Sequence, residues 1–115
     1  MPFNQAAWAA AETDQEHWVE IQWPTPKTVG RVLIYWNIEN DVVWTSQRAA
    51  VQVRAAKESQ WQTVADVQPS EGEPVTEIRF PAVPAQALRI LQPRDCGPRK
   101  RPRLMWLREV AVYAQ

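Results

Sequence analysis

An antiparallel all-β sandwich is the fold this sequence predicts, and three observations carry the prediction. Apolar and polar residues alternate with period two, most clearly where Val19, Ile21 and Trp23 interleave with Glu20 and Gln22. No window shows sustained helical periodicity. Ten prolines against three glycines stiffen the connections and disfavour helix.

Residues 1–16 lack a clear pattern: Pro2, Asn4, Thr13 and Asp14 flank an alanine-rich stretch, so a loop anchored by Trp8 is expected. The first predicted strand covers 17–23. Pro24 and Pro26 cannot donate to a ladder, so they end it and set up a turn. Val29–Trp36, β-branched and aromatic almost throughout, is the second strand, near the middle of the structure. A long loop, 37–49, follows, with Asn37, Asn40 and Asp41 as turn formers and Trp44 at its centre.

The third strand alternates Val51, Val53 and Ala55 with Gln52 and Arg54. A polar turn at 57–60 leads into the fourth, Trp61–Asp66. After the solvent loop 69–74 comes the fifth, Val75–Phe80, with Ile78 and Phe80 facing inward. Pro81 and Pro84 bracket a turn before the sixth, 87–91. A second long loop, 93–106, contains Pro93, Pro98 and Pro102, and the chain closes on a seventh strand, 107–113. Short strands punctuated by turn signals are the signature of a sandwich. If consecutive strands run up and down, the N-terminal segment and loops 37–49, 67–74 and 93–106 share one end. The connections 24–28, 56–60 and 81–86 share the other. Binding is normally built on loops at one end of such a frame.

Composition bounds the function. A chain of 115 residues, 45% hydrophobic, is expected to form one domain that buries most of its unfolded surface. The formal net charge is zero, which gives no electrostatic argument for nucleic acid or a membrane surface. No apolar run approaches the roughly 20 residues that span a bilayer, so membrane insertion is not expected. The N-terminus has no signal-peptide pattern, and the chain reads as a domain excised from something longer. The single Cys96 excludes an internal disulfide. Seven tryptophans are the outlier; tryptophan serves cores and also carbohydrate- or protein-binding faces.

Catalysis finds little support. There is no nucleophile motif, glycine-rich phosphate loop or spaced set of metal ligands. The lone His17 stands at a strand entry beside Trp18 and reads as framework. Trp18, Trp23, Trp36 and Trp61 lie in or beside strands and read as core or framework. Trp8, Trp44 and Trp106 belong to the segments expected to share an end. Trp44 is the best candidate for a stacking platform, the alternative being packing beneath its own loop. Arg94, Arg99, Lys100, Arg101 and Arg103 form a basic cluster on an extended, proline-broken loop. They are either solvated charge or forked donors for a uronate, sulfate or sialic carboxylate. Asn37, Glu39, Asn40 and Arg48 are candidate hydrogen-bonding partners for a neutral sugar, although the asparagines also suit the turn alone.

With the strands placed, the chain resembles the discoidin, or coagulation factor 5/8 type C, family, most closely the family 32 carbohydrate-binding modules. The residues that carry the likeness are His17–Ile21 with Val29–Trp36, Val51–Val53, Trp61–Val64, Ala87–Ile90 and Leu107–Tyr113. The resemblance implies a galactose-binding-like jelly roll and a non-catalytic module of a secreted or surface enzyme. Such a module holds a linked catalytic domain, in particular a glycoside hydrolase, against a glycan or polysaccharide, and is expected to be monomeric. The alternative is a structural or protein-interaction domain packed on a catalytic neighbour without binding glycan. The ligand-binding set expected from the loops is Trp44, Asn37, Asn40, Arg48, Arg94, Arg99 and Trp106. Glu109 stands where the family often places a calcium carboxylate. The family's aspartate–glycine pair is absent, however, and a hard cation needs six or more oxygens, so no cofactor is expected to be required.

Overall fold

The computed structural model describes residues 3–5 and 8–115, with side chains from residue 9 onward. Among them are nine strands: β1 (Phe3–Gln5), β2 (Trp8–Ala9), β3 (His17–Trp36), β4 (Ile38–Glu39), β5 (Val42–Val43), β6 (Ala49–Arg54), β7 (Gln62–Val67), β8 (Val75–Gln92) and β9 (Trp106–Tyr113). All pairings are antiparallel. The predicted all-β sandwich is the fold observed.

Two long strands organise it. At the usual rise, β3 drawn straight would run about 65 Å, yet the longest extent of the molecule is 38 Å. It must therefore fold back on itself, and β8 bends with it. His17–Gln22 pairs with Ala87–Gln92, Lys27–Val29 with Val83–Ala85, and Arg31–Tyr35 with Val75–Arg79. The first block, extended by β6 and β7, makes one layer. The last block, extended on β3 by β9 with β1 and β2 beyond it, makes the other.

The expected turns at 24–28 and 81–86 are therefore a shared corner. Each proline-rich segment crosses between layers while still paired to the other. Pro24 and Pro26 fall in the interval between Gln22 and Lys27 where the register shifts, so they cost the ladder little. The predicted grouping of loops survives, because each long strand still reverses direction at the corner. His17 opens β3 and Asn37 follows its end, and both bond to the chain around the start of β9. His17 Nε2–H donates to the Arg103 carbonyl at 2.9 Å and the Asn37 amide to the Trp106 carbonyl at 3.2 Å.

The N-terminal segment departs from expectation. Residues 3–5 and 8–9 pair with β9 instead of forming an irregular loop. Ladder bonds use backbone only, so a sheet edge can recruit a segment that shows no alternation. The anchoring role expected for the Trp8 side chain lies outside the described residues.

The core lies between the layers: Val32, Ile34, Trp36, Ile78, Val110 and Val112 face Val19, Trp23, Val51, Val53, Leu88 and Ile90. Gly30 is fixed by close approach, since a Cβ there would stand 2.5 Å from the Ala114 carbonyl oxygen.

Candidate functional site

The loop end is built from segments 10–16, 37–48, 68–74 and 93–105. Ile38–Glu39 and Val42–Val43 form a small hairpin whose central residues, Asn40 and Asp41, have φ of 53° and 62°. Asn and Asp tolerate that left-handed conformation, which two-residue hairpin turns require. Beyond the hairpin, the Trp44 amide donates to the Asn37 carbonyl at 2.9 Å. This bond seats Trp44 beside Trp106, with ring centroids 5.9 Å apart and planes inclined by 34°. The Arg101 guanidinium lies 5.7 Å from the Trp44 ring centroid. Trp44 Nε1 is buried without a hydrogen-bond partner among the described residues.

A buried polar network ties the two long loops together. Gln92, at the end of β8 and only 1% exposed, accepts from Ser46 Oγ and donates to the Leu104 carbonyl at 3.0 Å. Next to it, the Gln47 amide donates to the Cys96 carbonyl at 2.8 Å, and Gln47 Nε2 to the Gly97 carbonyl at 2.9 Å. Gly97 is required by space. A Cβ would lie 2.2 Å from the Leu104 carbonyl oxygen, and the Gly97 amide itself bonds to the Pro102 carbonyl.

Above this frame open two adjoining clefts. One, of about 370 Å³, is walled by Gln47, Arg48, Gln68, Glu71 and Arg99, with Cys96 at its edge. The other, of about 60 Å³, lies between Val43, Trp44, Pro98 and Arg99. The Arg99–Glu71 ion pair, 2.9 Å, borders both. The surface is shallow and amphipathic, with an aromatic ring at one side and amide and guanidinium donors at the other. Such a site suits a polyhydroxylated ligand with one apolar face.

Of the residues expected from sequence, the structure brings Trp44, Arg48 and Arg99 to the clefts, with Trp106 supporting Trp44. Asn37 contributes through its backbone, and Asn40 occupies the hairpin tip. Arg94 does not line either cleft; it pairs with Asp14 at 3.0 Å. Glu109 sits in β9 opposite Tyr35, and no group of three or more His, Cys, Asp or Glu among the described residues is placed to hold a metal. Sequence reasoning missed Gln47, Gln68 and Glu71. The run Thr45-Ser46-Gln47 beside Trp44 was the one available signal.

The basic loop is less basic than it reads. Arg99 pairs with Glu71, Arg101 with Glu12 and Arg103 with Asp95, besides Arg94 with Asp14. Exposed pairs contribute roughly 0–1 kcal/mol each, so they orient the loop more than they stabilise the fold. The hydrogen bond from Arg101 holds the Glu12 carboxyl below its ordinary value of 4.5, against the opposing effect of partial desolvation. A depressed carboxyl keeps its pairing above its unfolded-state value and loses it as pH falls through the folded one. Acidification below about pH 4.5 is thus expected to free Arg101 and alter tryptophan emission through Trp44. Arg101→Gln should abolish that step, and its persistence in the variant would refute the assignment.

This geometry, a jelly-roll frame with a loop-built cleft, defines an all-β galactose-binding-like domain. A family profile described as "NedA-like, galactose-binding domain", of the F5/8 type C kind, matches residues 4–90, and the chain belongs to that family. Comparison with curated proteins finds no match. Among solved structures, the chain is similar to chitosan-binding module 1 of a chitosanase/glucanase from Paenibacillus sp. IK-5. The identity is 22%, the TM-score 0.72, and the match covers 93% of this chain and 75% of that one. CpGH89CBM32-5 from Clostridium perfringens, in complex with GalNAc-β-1,3-galactose, gives a TM-score of 0.78 at 6% identity, covering 94% and 75%. The CBM32 of AlyQ, in complex with 4,5-unsaturated mannuronic acid, gives 0.72 at 19%, covering 95% and 78%. At these identities the likeness establishes the fold.

Proposed function

We propose that the chain is a non-catalytic carbohydrate-binding module that binds a glycan at the loop end. It would be carried by a larger secreted or cell-surface enzyme, most simply a glycoside hydrolase, and would keep that enzyme near its polysaccharide. The carrying observation is the convergence of Trp44 with Gln47, Arg48, Gln68 and Arg99 around clefts fixed from beneath by the Ser46–Gln92–Leu104 network. Modules of the same fold in complex with chitotriose, GalNAc-β-1,3-galactose and 4,5-unsaturated mannuronic acid support this reading. So does the commitment of His17 Nε2 to a backbone carbonyl, which removes that nitrogen from acid–base work. Tethering raises effective concentration, so weak intrinsic affinity suffices.

Trp44→Ala tests it. In a variant that melts like the parent, affinity for neutral oligosaccharides is expected to fall about ten-fold or more, read by calorimetry. Trp44→Phe, which keeps a ring and removes an unpaired donor, should retain most of the affinity. Unchanged binding in a folded Trp44→Ala protein would remove Trp44 from the site.

A further inference from the structure

The outer face of the layer containing β6 and β7 holds an arrangement that the loop end does not use. Since Val19 and Trp23 face inward, the alternation sends Trp18 and Glu20 outward, in register with Leu91 and Arg89 of β8. Gln52 and Arg54 of β6 continue the same face, and Trp61 precedes β7 beside them. The Arg89 guanidinium lies 5.3 Å from the Trp18 ring centroid and 4.4 Å from that of Trp61. Arg54 lies 4.5 Å from Trp61. The result is a ladder, Trp18–Arg89–Trp61–Arg54, whose first ring is 43% exposed. At its far end, Arg54 borders a cleft of about 560 Å³ at the corner, shared with Gln22, Lys57 and Gln86 over Trp23. This is larger than either loop-end cleft.

Charge pairing separates the two regions. Arg48, Arg94, Arg99, Arg101 and Arg103 at the loop end each have a carboxylate partner. Arg89 has none among the described residues. Its Nε donates to Gln52 Oε1 at 2.7 Å, and among the described residues no hydrogen bond engages its terminal nitrogens. Arg54 is paired with Glu20 at 3.6 Å, and its Nε is buried without a hydrogen-bond partner among the described residues, so Arg89 is the guanidinium that sets this face apart. A guanidinium stacked on rings keeps its in-plane donors for an oxyanion. Unspent donors therefore stand beside an exposed indole.

We propose that this face is a second glycan-binding site, selective for a sugar bearing a carboxylate or sulfate. The sugar ring packs on Trp18, its oxyanion is held by Arg89, and the chain continues toward the corner cleft. The proposal rests on the reading of the protein as a carbohydrate-binding module. With sites on the loop end and on this face, one polysaccharide could be engaged twice, giving avidity.

The test is calorimetric titration of the full chain with a mannuronate tetrasaccharide, a sulfated galactan tetrasaccharide and its unsulfated counterpart. Trp18→Ala and Arg89→Gln are expected to weaken the acidic ligands about ten-fold or more and leave the neutral one unchanged. Trp44→Ala should do the reverse for the neutral ligand. Arg89→Lys, keeping charge without the fork, should fall between. Near-UV circular dichroism confirms folding, and Trp18, being half exposed, is safe to truncate. Acidic binding unaltered by either outer-face substitution, or lost in Trp44→Ala alone, overturns the second site and leaves the loop-end reading standing. Absence of binding to all three sugars by the parent chain overturns both.

Discussion

Replacing Trp36 with alanine is expected to remove about 3–5 kcal/mol of folding stability. Trp36 is fully buried where β3 leaves the sheet, and its Nε1 donates to Thr76 Oγ1 at 2.9 Å. Its backbone amide bonds to the Pro74 carbonyl, so the indole also supports the loop between β7 and β8. Truncation leaves a cavity between layers and deprives Thr76 of its donor. Domains of this kind have about 5–15 kcal/mol in total, so the variant should lie close to its folding limit. Trp36→Phe, which keeps most of the volume, should lose far less. Urea denaturation distinguishes the cases: the midpoint should fall while the slope stays constant. A loss below about 1 kcal/mol would mean that the core closes around the missing ring far more readily than cavity costs imply.

The same residue shows what the sequence makes legible. Alternation told which residues share a face, and it held: Val19 and Trp23 are buried, as are Trp36 and Ile78. Carried one residue further, it also places Trp18 outside, against the expectation that Trp18 serves as core or framework. A lone tryptophan beside an apolar run reads as core until parity is enforced. The corner was hidden for another reason. Proline ends a strand locally, but whether pairing resumes beyond it depends on a partner some 60 residues away, as Gln86 Nε2 bonding to the Pro24 carbonyl illustrates.

The candidate site divides along the same line. Trp44 and the arginines were visible because composition is local. Their carboxylate partners were not, because Glu12 and Arg101 are 89 residues apart and Asp14 and Arg94 are 80 apart. A charge cluster in sequence therefore overstates the positive field of the folded loop. Arg89, which has no carboxylate partner among the described residues, stands singly in the apolar run 87–91 and carries no cluster signal.

Gln92 couples stability to the site, and its replacement should separate the two. Gln92→Leu keeps the volume but strands the Leu104 carbonyl and the Ser46 hydroxyl, both buried. Each group left unpaired costs about 1–3 kcal/mol, so the variant should be clearly destabilised yet still fold. Ser46→Ala removes one partner and should cost less. In the double variant the losses should fall short of additive, because both substitutions break the same bond. The functional consequence is larger than the thermodynamic one. Without Gln92 the buried link between Ser46 and Leu104 is lost, and the loops holding Trp44 and Arg99 are freer to separate. Amide exchange at Gln47, whose N–H bonds to the Cys96 carbonyl, should then quicken, and glycan affinity at the loop end should drop with it. Affinity for acidic sugars at the Trp18–Arg89 face should be spared, because Gln92 points inward with Leu88 and Ile90 while Arg89 and Trp18 stand on the outer side of the sheet. If both affinities fell together, the loss would be global softening of the sandwich, and Gln92 would have no special hold on the loops.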